Sequence, residues 1–188
     1  MAPRPRGSWP PGFNPSQARQ AAGLLLIFPA ANSPHLVLTV RSDSLGHHRG
    51  QVSLPGGVIE PGETREQAAI REAHEEVGLA LEGVHVLGAL TPVDIVVSGF
   101  RLHPILAATP SRPRLRPSGS EVSRILEVAL DELVDRRCHA WRSSVRGTEP
   151  FCYPAFAIEG VDIWGATAMV LAELLSLLGW PGPDPGDP

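Results

Sequence analysis

Residues 57–79 read GVIEPGETREQAAIREAHEEVGL, and the spacing of their glycine, arginine and glutamate positions decides how the rest of the chain is interpreted. Thr64 followed by Gln67 is a capping box, in which two side chains satisfy each other's backbone N–H groups, and Gly78 suits the left-handed residue that ends a helix. These signals predict a helix over residues 65–77. At about 100° per residue, Glu72, Glu75 and Glu76 fall within an arc about 100° wide, while Ala69, Ile70, Ala73 and Val77 make a neighbouring apolar face. The carboxylates occupy the last turns, at the negative end of the helix dipole, where an anion loses about 0.3–1 kcal/mol and like charges one turn apart repel further. A hard divalent cation relieves both penalties, and carboxylate oxygens suit Mg²⁺ or Mn²⁺, which keep several waters and share their shell with phosphates. Three glutamates alone also fit a solvated acidic face.

The full pattern separates these readings. The stretch resembles the Nudix box, G-x5-E-x7-R-E-U-x-E-E-x-G-U, with Gly57, Glu63, Arg71, Glu72, Glu75, Glu76 and Gly78 at its fixed positions and Ala73 and Leu79 at its apolar ones. The resemblance implies an α/β (α+β) Nudix fold, a mixed β-sheet sandwiched between α-helices, and hydrolysis of a diphosphate linked to a nucleoside. It implies Glu72 and Glu76 as metal ligands, Glu75 as a further ligand, direct or through water, and a backbone carbonyl from Gly56. Arg71 and Glu63 are expected to pair, since an Arg holds a carboxylate with two parallel bonds, and so to position the box without doing chemistry. The family draws its general base from different places. Glu121 is the leading candidate outside the helix, against a plain surface Glu before a strand.

Composition narrows the alternatives. The chain has 188 residues, enough for one compact domain, and a formal net charge of −4, which gives no bulk attraction to nucleic acid or an anionic membrane. All 16 basic residues are Arg, so a P-loop lysine, a Schiff-base lysine and a Ser-Lys dyad are excluded. Cys138 and Cys152 lie in no metal or redox spacing and read as packing residues of a reducing, cytoplasmic protein. The longest apolar stretch, residues 21–31, contains Pro29 and is too short to span a bilayer. Following an Arg-containing leader, it imitates a targeting segment, but it reads better as the first buried strand.

Residues 1–17 read as a flexible Pro/Arg-rich arm, 18–180 as a single domain and 181–188 as a Pro/Gly-rich tail. Within the domain, strands are expected at 22–28, 36–40, 84–91, 102–107 and 125–130, with a turn at ANSP (31–34) and loops at 46–55 and 111–120. Residues 131–133 read as a helical turn and 166–178 as an amphipathic helix.

Upstream of the box, VLTVRSDSLGHHRGQVSLPGG (37–57) resembles the extended signature of coenzyme A pyrophosphatases, L-L-T-x-R-[SA]-x3-R-x3-G-x3-F-P-G-G. Leu38, Thr39, Arg41, Ser42, Gly50, Pro55, Gly56 and Gly57 agree, while Val37 and Leu54 are apolar replacements and Gly46 stands where the signature has Arg. SGFRLHPIL and YPAF…IWGATAMVLAELL also look like this subfamily. The resemblance implies cleavage of coenzyme A to 3',5'-ADP and 4'-phosphopantetheine. Such a substrate wants Arg for its phosphates and an aromatic or apolar face for adenine. Arg41 is the first choice for a phosphate contact, or else pairs with a box carboxylate; Arg112, Arg114 and Arg116 stand behind it or form a solvated loop. Phe100 and Trp164 line a substrate pocket or belong to the core, and His103 reads as structural. Because of Gly46, NADH, ADP-ribose and nucleoside triphosphates remain alternative substrates. A non-catalytic nucleotide-binding module and an interaction protein using its Pro-rich ends are the readings from other classes, and monomer and homodimer are both open.

Overall fold

The computed structural model describes residue 9 and residues 13–42, 50–146 and 149–182. In chain order its elements are β1 (Arg19–Ala30), β2 (Ser33–Arg41), β3 (Val52–Ser53), β4 (Gly56–Val58), α1 (Arg65–Val77), β5 (His85–Ala89), β6 (Val93–Ile95), β7 (Phe100–Ala108), β8 (Val122–Ala129), α2 (Leu130–Val134), β9 (His139–Arg146), β10 (Glu149–Ile158), β11 (Val161–Ile163) and α3 (Gly165–Leu177). Single 3-10 turns at Pro15–Gln17 and Arg136–Cys138 complete the set.

The apolar run 21–31 becomes β1, the strand around which the large sheet is assembled: it pairs antiparallel with β2 and β4 and parallel with β7. β8 flanks β2, and β5 and β6 flank β7, giving an eight-stranded mixed sheet. The turn from β1 to β2 consists of Ala31 and Asn32, with φ of 48° and 65°. Left-handed backbone at both central residues is what a two-residue hairpin needs to match strand twist.

Side-chain alternation sorts β1 and β2 into two cores. Ala22, Leu24, Leu26 and Phe28 point to one face, where Ala68, Ala69, Ala73 and Val77 of α1 cover them together with Ile105 and Ala107 of β7. Leu25, Leu36, Leu38 and Val40 point to the other, against Leu130 and Leu133 of α2 and Val170, Leu171, Leu174 and Leu175 of α3. Phe156, Ile158 and Ile163 join that second core from a separate antiparallel sheet, ordered β11–β10–β9.

The mixed sheet between helices is therefore present, but the second face is covered by a small sheet as well as by helices. That sheet, and β6, were not expected from the sequence. The segment before residue 18 also departs from a uniformly loose arm: Trp9 donates to Asp94 (3.1 Å) and stacks on Phe13 with ring centroids 4.4 Å apart. No described helix is long and apolar enough to cross a membrane. Cys138 is a free thiol.

Candidate active site

The helix of the box begins and ends where its caps dictate. Thr64 accepts from the Gln67 N–H (3.2 Å), Gln67 Oε1 accepts from the Thr64 N–H (2.9 Å), and Gly78 closes α1 at φ 65°. Its buried alanines let the helix lie close against β1, which carries the acidic face to β4, because β4 pairs with β1 through Gly57↔Ala22 and Gly56↔Gly23.

Arg71 is the organising side chain. Its Nε and Nη2 donate to the two oxygens of Glu63 (2.8 and 3.1 Å), its Nη1 to Glu72 (2.8 Å) and Glu75 (3.3 Å), and its Nη2 also to the carbonyl of Val58 (3.0 Å). The bidentate bond ties the loop before α1 to the helix. It also holds the Glu63 carboxyl below its ordinary range, with the Glu60 N–H adding to the effect.

The Glu72 carboxylate lies directly over Gly57, where a Cβ would come within 2.4 Å of its Oε1. Gly56 is required for a different reason: a Cβ there would meet the Ala22 carbonyl oxygen at 2.3 Å, so β4 could not pair with β1. The Gly56 N–H donates to Glu76 Oε2 (3.3 Å). Burial pushes the Glu76 carboxyl up to about 7, opposed by the Gly56 N–H and by Arg41 and reinforced by the charges of Glu72 and Glu121.

Arg41 pairs with Glu121 across 3.6 Å, not with a box carboxylate. Both lie where the ends of β2 and β8 meet and both act on the charge of Glu76, so Glu121 is beside the box carboxylates although it is 60% exposed. The Arg41 Nε is buried without a hydrogen-bond partner.

Phe100 has the Arg19 guanidinium over its ring at 4.4 Å, a partner outside the glutamate group. Trp164 precedes α3 and packs on Tyr153, with centroids 5.0 Å apart. His103 is buried and bonded to Gln20 (2.7 Å), as a structural histidine should be. Arg112 pairs with Glu127 (2.8 Å) while its side chain stays mostly exposed. Positions 46–49, with Gly46, His47, His48 and Arg49, lie outside the described residues. Two features escaped the sequence reading: the fit of Glu72 against Gly57, and Tyr153 beside Trp164, whose only trace is the alternation of Phe151 and Tyr153 in FCYPAF.

Among the described residues no three His, Cys, Asp or Glu side chains already converge as a metal cluster. Glu72 is instead turned to Arg71, and Glu76 to Gly56. The donor set still fits a hard cation: like-charged carboxylates press on a half-buried Glu76, and a glycine leaves room for Glu72. Few protein ligands suit an ion that keeps waters and takes the rest of its shell from substrate phosphate.

The sequence profile described as NUDIX domain matches residues 18–145. A Nudix hydrolase NudL of Yersinia enterocolitica is 35% identical over 165 residues, covering 87% of this chain and 84% of the relative. One from Klebsiella pneumoniae is 37% identical over 163 residues, covering 86% and 83%. Among solved structures, the Nudix hydrolase RenU of M. smegmatis superposes with a TM-score of 0.61 at 22% identity over 89% of each chain. The NUDIX domain of Shewanella oneidensis NrtR, complexed with ADP ribose, gives 0.57 at 13% identity over 92% and 94%. At such identities these two support the fold alone.

Proposed function

This chain belongs to the Nudix family of hydrolases acting on pyrophosphate bonds, and from that premise we propose that its substrate is coenzyme A or a derivative, split into 3',5'-ADP and 4'-phosphopantetheine. The observation that carries this reading is the placement of the extended signature. The charge of Arg41, from its first half, acts on Glu76, and the N–H of Gly56, from its second, donates to it, which supports reading these residues, set apart in sequence, together with the box.

Nudix hydrolases generally use divalent metal ions such as Mg²⁺ or Mn²⁺. In this chain Glu72 and Glu76 would hold the ion, with Glu75 as a further ligand and Gly56 beside them. When bound, it neutralises the diphosphate and activates a water for attack at phosphorus. The protein's own contributions follow from the geometry. Arg71 and Glu63 hold Glu72 and the loop before α1 in register. Arg41 offers a guanidinium to a phosphate oxygen, exchanging its long contact with Glu121 for a charge-assisted one. Glu121, released from Arg41 and close to Glu76, becomes available to accept a proton. Phe100, capped by Arg19, is assigned no more than a rim position.

Gly46 supports a second reading, in which NADH, ADP-ribose or a nucleoside triphosphate is preferred, since a guanidinium that could contact a coenzyme A phosphate is missing there. ADP ribose bound to the NrtR domain is compatible with such a substrate on this fold. The two readings separate on incubation of the protein with coenzyme A, NADH, ADP-ribose and nucleoside triphosphates, with Mg²⁺, Mn²⁺ or EDTA, followed by chromatography. Metal-dependent release of 3',5'-ADP from coenzyme A ahead of all other turnover is expected. Faster cleavage of another member of the panel would discard the coenzyme A assignment and keep the chemistry.

A further inference from the structure

The small sheet has spent its apolar residues twice. Its inner face supplies Phe156, Ile158 and Ile163 to the core, which is the burial the fold requires. Its outer face nevertheless carries a second aromatic row. Tyr153 stands opposite Arg142 across the β9–β10 pair, and Phe151 lies two residues before it on the same side. Trp164 extends the row: its φ of −143° and ψ of −179° continue β11, and it follows Asp162 by two positions. The centroids of Phe151 and Tyr153 are 5.7 Å apart and those of Tyr153 and Trp164 5.0 Å, and all three residues are half-buried. Beside the rings, Arg142 binds Asp162 through two bonds of 2.7 and 2.9 Å, placing fixed donors and an acceptor at the edge of the row.

The row is anchored to the active site from two sides. Thr167, in the first turn of α3, is buried and donates to the Val52 carbonyl (2.9 Å), and Val52 is four residues before Gly56, a span of at most about 14 Å. At the other end of β11, Arg124 of β8 donates to the Glu159 carbonyl (3.3 Å), three residues after Glu121 in the chain. The aromatic face is thus fixed to the strand ends that carry Arg41, Glu121 and Gly56. Gly165, at φ 64°, turns the chain into α3 immediately after Trp164, so the indole is presented by a defined bend.

We infer that Tyr153 and Trp164, with Phe151 behind them and the Arg142–Asp162 pair at their edge, form the platform on which the substrate's nucleobase stacks while its diphosphate lies at Glu72, Glu76 and Arg41. The inference rests on the proposed reading only in requiring a nucleotide-bearing substrate. A base has the flat π-face that such rings match, whereas the pantetheine arm has none.

The test uses Tyr153→Leu, which keeps apolar cover on the sheet but removes the ring, Tyr153→Phe, which keeps the ring, and Trp164→Leu. Binding of 3',5'-ADP and of 4'-phosphopantetheine to the full chain is measured by calorimetry in Mg²⁺, with thermal melting as a check on folding and KM and kcat on the best substrate of the panel. Tyr153→Leu and Trp164→Leu should weaken 3',5'-ADP about tenfold and raise KM by a similar factor, with 4'-phosphopantetheine unchanged and Tyr153→Phe near wild type. Equal 3',5'-ADP affinity in wild type and both Leu variants would overturn the platform, as would equal weakening of both ligands. Failure of the coenzyme A reading would appear differently: 5'-ADP would replace 3',5'-ADP as the tighter ligand and still lose affinity in the Leu variants.

Discussion

On one face of the large sheet, α1 gathers Glu63, Glu72, Glu75 and Glu76 around a single arginine and two glycines within a stretch of 21 residues. On the other face, the small sheet of residues 139–163 joins Arg142 to Asp162 and Tyr153 to Trp164, partners brought together only by strand pairing. The first region is rich in charge, tightly specified by local contacts, and carries a destabilising burden in Glu76. The second contributes apolar surface to the core and holds its charges at the rim. Charge is concentrated around α1, and the inner face of the small sheet adds apolar packing to the core.

If that division holds, damage to the two regions should separate cleanly. The largest effect is expected from Glu76→Gln, which keeps the shape but removes a ligand charge: kcat should fall roughly a thousandfold while the melting temperature stays or rises. Retained turnover would remove Glu76 from the metal site. The converse variant is Ile158→Ala, which empties a fully buried position of the small sheet. It should cost about 2–4 kcal/mol in denaturant unfolding, with kcat of the folded protein little changed. A large loss of kcat there would erase the distinction between the regions.

The adjacent glycines divide stability from activity on a finer scale. In Gly57→Ala the atoms nearest the new methyl are the movable end of Glu72, so the carboxylate shifts, activity drops about a hundredfold and stability changes little. In Gly56→Ala the obstacle is the Ala22 backbone, so loss of folding, read by circular dichroism, should dominate.

A smaller effect concerns pH. The folded-state pKa of Glu76, raised to about 7 from 4.5, makes its contribution favourable to folding below about pH 4.5 and lost as pH rises through about 7. Metal-free protein should therefore lose about 2 kcal/mol across that window relative to Glu76→Gln, measured by urea unfolding, since other groups titrate alike in both. Saturating Mg²⁺ should abolish the difference, because the ion takes the place of the proton. A flat difference without metal would show that burial does not burden Glu76.

Legibility in the sequence followed the same division. The bounds of α1 were readable because Thr64 and Gln67 cap its first turn and Gly78 its last, and β1 because its run is apolar throughout. The contact of Arg71 with Glu63, eight residues apart, was readable from the box pattern, which needs its loop held to the helix. β10 was not, because Pro150 and Pro154 interrupt it; they are tolerated since that part of β10 pairs with β9 alone and leaves its other edge open. The pairing of Arg41 with Glu121 and the approach of Tyr153 to Trp164 span 80 and 11 residues and depend on how strands meet, which no local signal encodes.

The proposed metal site stands or falls on whether Glu72 and Glu76 hold the divalent ion. Mn²⁺ titrated at pH 8 and followed by electron paramagnetic resonance tests it most directly, in wild type, Glu72→Gln and Glu76→Gln. Saturable binding is expected in wild type, weakened at least about tenfold in each variant. Equal Mn²⁺ affinity in all three proteins would contradict it.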